Sequence, residues 1–184
     1  MKRWFLIAGL CVCFAACMSA ATVVVNFDDL TGNGGVPNGY AGMNWGGQWT
    51  YYDDVQPPYN PSSPPERVFD FVDEGQFSFL SPVVFDGAWF SGYDFATVQF
   101  NLYLSSVLVA SSSSLAPSGT PTFLGSGYAG LVDEVGVVSP SPAFFVMDDV
   151  TYESGSSTPE PASLLLVGGA MGLLAFVARR RRRA

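Results

Sequence analysis

The chain has 184 residues, nearly half of them hydrophobic, with 16 acidic side chains against 8 basic ones and no histidine at all. A Ser-His-Asp triad, a Cys-His pair and a histidine-ligated zinc site are therefore excluded. The sole lysine, Lys2, and all three cysteines, Cys11, Cys13 and Cys17, lie in the first twenty residues.

Those residues read as an export signal. Lys2 and Arg3 form a basic n-region, residues 4–16 an apolar h-region, and Met18-Ser19-Ala20-Ala21 a small-residue cleavage site. Cleavage is expected after Ala20 or Ala21, giving a signal helix over 1–21. The rival reading, a loose lipobox at Phe14-Ala15-Ala16-Cys17, would place lipid on Cys17. Either way the exported part keeps no lysine, and no cysteine other than a lipid-bearing Cys17 in the second reading. A Schiff-base lysine and a disulfide are both ruled out, and the domain must hold itself together by its core.

Residues 22–153 have the length of one domain. Their pattern is all-β. Short β-branched or aromatic runs occupy 22–27, 68–71, 77–79, 83–85, 88–90, 97–103, 106–109, 135–138 and 144–152, and Gly, Pro, Ser, Asn or Asp separates nearly all of them. The runs 97–103 and 106–109 flank Ser105-Ser106 and predict a hairpin. Two longer loops intervene: 31–47, rich in glycine, and 55–66, which holds Pro57, Pro58, Pro61, Pro64 and Pro65 and reads as stiff and extended. Residues 154–158 predict a flexible linker. About nine or ten closely spaced strands predict a two-sheet β-sandwich of jelly-roll type.

Charge within this domain is one-sided. Arg67 is its only basic residue, against 15 acidic ones, for a net charge of −14. Nucleic acid and anionic lipid are excluded as partners on electrostatic grounds, and cations are the natural ligands.

Three groups of side chains are candidates for a site. Asp28-Asp29 follow the first strand and Asp148-Asp149 lie within the last; terminal strands that pair would gather four carboxylates suited to Ca²⁺, a hard, oxygen-ligated ion. The hydrophobic phase switches across that last strand. Phe145 and Met147 keep one parity and Val150 and Tyr152 the other, which predicts a bulge at the aspartates. Trp45, Trp49, Tyr51, Tyr52 and Tyr59 surround the two long loops and are candidates for stacking on sugar faces, or else for covering the sandwich core. Asp53-Asp54, Asp73-Glu74 and Asp133-Glu134 are the acid pairs from which a carboxylate-only glycan hydrolase could draw its catalysts.

The remaining segment has three parts in order: Thr158-Pro159-Glu160-Pro161, an uncharged apolar run over 162–178, and Arg179 to Arg183. As a helix the run spans roughly 25 Å, enough for a thin hydrocarbon core, with the arginines held on the cytoplasmic side. This tail resembles the PEP-CTERM sorting signal of Gram-negative bacteria. Pro159-Glu160-Pro161 matches the signature tripeptide, and Gly168-Gly169 and the arginine cluster match the rest. The resemblance implies Sec export, a transient inner-membrane anchor at 159–184, processing by an exosortase, and release to the envelope surface or the exopolysaccharide and biofilm matrix.

The domain also resembles an uncharacterised family of secreted β-sandwich domains. The matching stretches are Asn26-Phe27-Asp28-Asp29-Leu30, residues 36–45, Gly87-Ala88-Trp89-Phe90 and residues 145–150. That resemblance implies a fold and no activity. The combined expectation is a non-catalytic, surface-exposed module, adhesive or carbohydrate-binding, with extracellular polysaccharide as its partner, Ca²⁺ as its one candidate cofactor, and a glycan hydrolase as the alternative.

Overall fold

A computed structural model describes residues 21–154. Residues 1–20 of the expected signal helix, the membrane-spanning helix, the Pro159-Glu160-Pro161 motif and the linker beyond Ser154 lie outside the described residues; Ala21, expected to end that helix, opens the first strand. Among those described, no helix is long and apolar enough to cross a membrane.

The domain is all-β. Its strands are β1 (Ala21–Val25), β2 (Gly34–Gly35), β3 (Met43–Asn44), β4 (Thr50–Tyr52), β5 (Arg67–Phe69), β6 (Glu74–Gly92), β7 (Gln99–Leu104), β8 (Val107–Ser111), β9 (Thr122–Gly125), β10 (Leu131–Val138) and β11 (Phe145–Ser154). A single 3₁₀ turn at Tyr40–Gly42 is the one helical element among the described residues. The strands form one connected network in the order β2-β4-β5-β11-β6-β10-β7-β8, with β1 on β11 and both β3 and β9 on β6. A two-sheet sandwich is the sequence expectation; the hydrogen-bonded strands form a single network, with β6 at its centre.

β6 runs 19 residues where the sequence pattern reads three short strands. Leu80, Ser81 and Pro82 are exposed, and the pairing with β10 skips from Val83↔Val132 to Ser78↔Glu134 around them. Proline lacks a donor for the ladder and is tolerated at such an irregularity. The strand therefore continues through a punctuation mark that looks like a terminus. Its first part pairs with β10 and its second with β11 and β9.

The expected partnership of first and last strands is present, with Ala21↔Ser154 through Val25↔Val150 in antiparallel register. So is the bulge: the β11–β6 register shifts between Asp148 and Thr151, and Asp149 takes a φ of 48°. Thr151 falls opposite Gly87, whose φ is 148°. A side chain at Gly87 would strike the Leu124 carbonyl of β9, so glycine lets three backbones meet where β6 changes the parity of its buried residues. The Ser105-Ser106 hairpin also forms, with both serines at positive φ and the Ser105 N–H donating to the Asp133 carboxylate at 2.9 Å.

One hydrophobic cluster fills the domain. Phe27, Trp45, Trp49, Phe77, Phe85, Phe90, Phe100 and Phe145 are its largest members, each at most 1% exposed. Their rings meet mostly edge-on or tilted at 5–6 Å, for example Phe85 on Phe100 at 4.9 Å and Trp45 on Phe77 at 5.2 Å. Burial of aromatic area takes the place of the missing disulfides.

Candidate functional site

The cleft lies where the proline-rich loop crosses the sheet. β4 and β5 pair in register, Tyr52 with Arg67 and Thr50 with Phe69. Alternation along β4 turns Tyr52 to one face and Tyr51 to the other, where the Tyr51 ring lies against Gly34. On the Tyr52 face a cleft of about 350 Å³ opens, lined by Tyr52, Tyr59, Phe69, Phe71, Asn33, Thr50, Asp54 and Gln56, with Ala143 and the start of β11 as its far wall.

The walls are fixed by specific bonds. Tyr59 donates its hydroxyl to the Ala143 carbonyl at 3.1 Å. Asn60 donates to the Gly119 carbonyl at 2.6 Å and accepts from buried Ser91 at 2.6 Å. The Ser63 N–H donates to Asp148 at 2.8 Å, and its hydroxyl to Asp149 at 2.9 Å. The loop expected to be stiff is thus fastened at three points to strands and turns far away in sequence. On the opposite wall the Phe69 ring meets Tyr52 at 5.4 Å and Phe71 at 4.9 Å, both edge-on. The Asn33 amide donates to the Asp54 carboxylate at 3.2 Å.

Beneath Tyr52 lies the domain's only cation. Arg67 is 2% exposed, its guanidinium 3.9 Å from the Tyr52 ring centroid. It donates to the carbonyls of Tyr52, Pro65 and Asp54. A charge committed to backbone carbonyls leaves no basic group on the cleft surface, whose sole acidic lining residue is Asp54.

The five aromatic candidates separate cleanly. Tyr52 and Tyr59 line the cleft. Trp45 and Trp49 do not: they are 0% and 1% exposed, and their indole N–H groups donate to the Tyr40 and Gln76 carbonyls at 3.1 and 3.0 Å. Fully buried rings offer no face to a ligand, so their assignment as binding residues is corrected to core. Tyr51 packs on the periphery of that core. Sequence reasoning missed Asn33, Thr50, Gln56, Phe69 and Phe71, and named Asp54 only as a candidate hydrolytic acid. One signal was available: in the run 68–71, Val68 takes the inward phase, and Phe69 and Phe71 share the other, where a core has no use for them.

The four aspartates are arranged differently from the calcium expectation. Asp148 is buried, and both its carboxylate oxygens accept backbone N–H groups, from Ser63 and from Asp149 at 2.7 Å. Asp28 accepts the Glu66 N–H at 3.4 Å, while exposed Asp29 turns away to accept the Tyr40 hydroxyl. Among the described residues no three acidic, histidine or cysteine side chains converge on a point fit for a metal ion. The pairing of terminal strands brings the backbones together, but Asp28 and Asp29 fall in the turn after β1, and donors from Glu66, Tyr40, Ser63 and Asp149 occupy carboxylate oxygens of the four aspartates.

Buried carboxyls without a cation are shifted toward protonation. Burial is the main cause holding Asp148 at about 7; the Asp149 and Asp28 carboxylates add to it, and the Ser63 and Asp149 N–H groups oppose it. Asp70 is fully buried and also held at about 7 by desolvation; the Val72 N–H pulls the other way without closing a hydrogen bond. Glu66, likewise buried with neither oxygen partnered, is raised by desolvation first and then by Asp53, against the pull of Arg67. Of the acid pairs considered for hydrolysis, only Asp54 reaches the cleft lining. Asp53 accepts the Gly32 N–H at 3.3 Å, Glu74 the Tyr103 hydroxyl at 2.8 Å, and Asp133 supports the Ser105 turn.

No curated protein matches the chain. Among solved structures, a mutant family 29 carbohydrate-binding module, studied for its mechanism of ligand recognition, aligns with TM-score 0.42 and 12% identity over 73% of this chain and 92% of that one. Residues 157–183 match the family model described as the PEP-CTERM protein-sorting motif. The chain carries a PEP-CTERM sorting motif, the signal of an exported exosortase substrate.

Proposed function

We propose that the exported domain, read as a jelly-roll-like sandwich whose sheet folds over through β6, is a non-catalytic module that binds an uncharged glycan at the cell surface or in the extracellular matrix. The observation that carries this reading is the composition of the cleft: Tyr52, Tyr59, Phe69 and Phe71 beside Asn33, Thr50, Gln56 and Asp54. Sugar rings present apolar C–H faces that stack on aromatic rings, and their hydroxyls pair with amide, hydroxyl and carboxylate groups. An acidic glycan would meet Asp54 and no compensating cation, because Arg67 is buried and its terminal N–H groups bond to backbone carbonyls. A hydrolase needs two carboxyl groups flanking one glycosidic bond, about 5 to 9.5 Å apart. The cleft lining supplies one, so the binding reading has the better support.

Sorting fits the same picture. Exosortase processing would leave the module outside the inner membrane, where polysaccharide is at hand. The test is a glycan-array screen of the mature protein. Retention on neutral glycans, lost in Phe71→Ala, is the expected result; retention on acidic glycans alone, or on none, would overturn it.

A further inference from the structure

The cleft does not stop at its own rim. Tyr59, on its wall, packs edge-on against Tyr93 at 5.6 Å, and Ala143, which accepts the Tyr59 hydroxyl, immediately precedes Phe144. Tyr93 stacks on Phe95 at 5.3 Å with 25° between planes; Phe144 meets Phe95 at 5.1 Å and Tyr93 at 5.9 Å. These three rings are 41%, 58% and 43% exposed, and Phe71 across the cleft is 67% exposed. Exposed apolar side chains are ordinary when scattered, but a contiguous aromatic patch marks a contact surface. This patch is also held in place: the Tyr93 N–H donates to the Phe144 carbonyl at 3.1 Å, and Gly92, at φ 156°, lets the two backbones touch. Asp94 is the charged residue within it.

We propose that cleft and patch form one track, and that the ligand is an internal stretch of a linear, uncharged polysaccharide running from Phe71 through the cleft and over Tyr93, Phe95 and Phe144. The inference rests on the glycan reading of the cleft and adds the class of glycan. A terminal sugar would need the cleft alone and would leave the adjoining rings without purpose. A chain passes beyond the polar groups of the cleft and meets rings with few polar partners, where further sugar units gain contact by stacking. Asp54 and Asp94 along the route disfavour a polyuronate or sulfated chain.

The experiment is calorimetric titration of the mature exported protein with linear oligosaccharides of about two to eight units, from neutral glucan, mannan and xylan, with polyuronate and chitosan oligomers as the charged arms. Affinity for one neutral series should rise about tenfold or more with length, on the scale of one added ring stack. Phe95→Ala and the double variant Phe95→Ala with Phe144→Ala should remove that gain, leave binding of the shortest ligand intact, and keep the melting temperature. Length-independent affinity, or an unchanged gain in Phe95→Ala, would overturn the track while sparing the cleft. Stronger binding of a charged series would overturn the uncharged class. A neutral series that fails to bind at any length would remove both readings together. If Phe95→Ala instead abolishes self-association seen by light scattering and leaves glycan affinity alone, the patch is a protein interface and the track is refuted.

Discussion

The Arg67 guanidinium lies 3.9 Å from the centre of the Tyr52 ring, inside the domain, and bonds to backbone carbonyls rather than to any carboxylate. A domain with 15 acidic residues has placed its one cation where no surface acid uses it. The arrangement ties β4, β5 and the start of the proline-rich loop together and sets the Tyr52 ring on the cleft floor.

Removing that cation should loosen the floor. Arg67→Met leaves three carbonyls without their donor, at about 1–3 kcal/mol for a buried unsatisfied group. A loss on the order of 3 kcal/mol is expected by urea denaturation. Arg67→Lys should recover only part of it, because an ammonium cannot spread donors over a planar fork or lie flat on the tyrosine. Full recovery with lysine would contradict the role given to the planar group.

Acid should stabilise this domain. Asp70 and Asp148 titrate at about 7 when folded, against about 3.9 unfolded. A raised folded value means the folded state holds the proton more tightly. The resulting stability is complete below the unfolded value and is lost as pH climbs through the folded one. Between pH 5 and pH 8 the loss is on the order of 2–3 kcal/mol for each group. Melting temperature should therefore fall by roughly 10–20 °C across that range, with the collective repulsion of the other acids acting in the same direction. Asp70→Asn should remove about half of the fall. A melting temperature that rises toward pH 8 would count against both assignments.

Stability and binding should separate along the line between core and cleft. Trp45→Ala and Trp49→Ala each empty a ring from the cluster around Phe77 and should cost about 3–5 kcal/mol. Phe71→Ala, at an exposed position, should cost less than about 0.5 kcal/mol yet weaken glycan retention. Thermal melts and affinity electrophoresis on the same variants check this; a destabilising Phe71→Ala beside a harmless Trp45→Ala would reverse the placement.

What the sequence made legible is what local pattern controls. The phase switch between Met147 and Val150 announced a bulge, and the structure has one at Asp149. The Ser105 turn was readable from two strands on either side of it. What escaped depends on partners distant in the chain. Nothing near Asp148 announces that Ser63, 85 residues away, takes its oxygens, or near Asp29 that Tyr40 takes its own. Trp45 and Trp49 carry the same composition signal as ligand-binding aromatics, and only the packing of Phe27 and Phe77 around them identifies them as core. The cleft itself joins loop residues near 33 and 59 to strands beginning at 50, 67 and 145, a juxtaposition with no local signature.

Sorting predicts a processed chain. With the PEP-CTERM motif at residues 157–183, mass spectrometry of surface-exposed protein should recover peptides from the domain and none from Leu164 onward. Intact tails in the surface pool would mean a plain membrane anchor instead.

The central claim is that the cleft holds an uncharged glycan, and it is tested most directly by heteronuclear NMR of the mature protein titrated with the neutral oligosaccharide that retains it best. The side-chain amides of Asn33 and Gln56 and the backbone signals of Tyr52, Tyr59 and Phe71 should shift together and saturate, while the indole signals of Trp45 and Trp49 stay in place. Shifts confined to residues outside the cleft, or saturation that leaves Asn33, Gln56 and Tyr59 unmoved, would contradict the account.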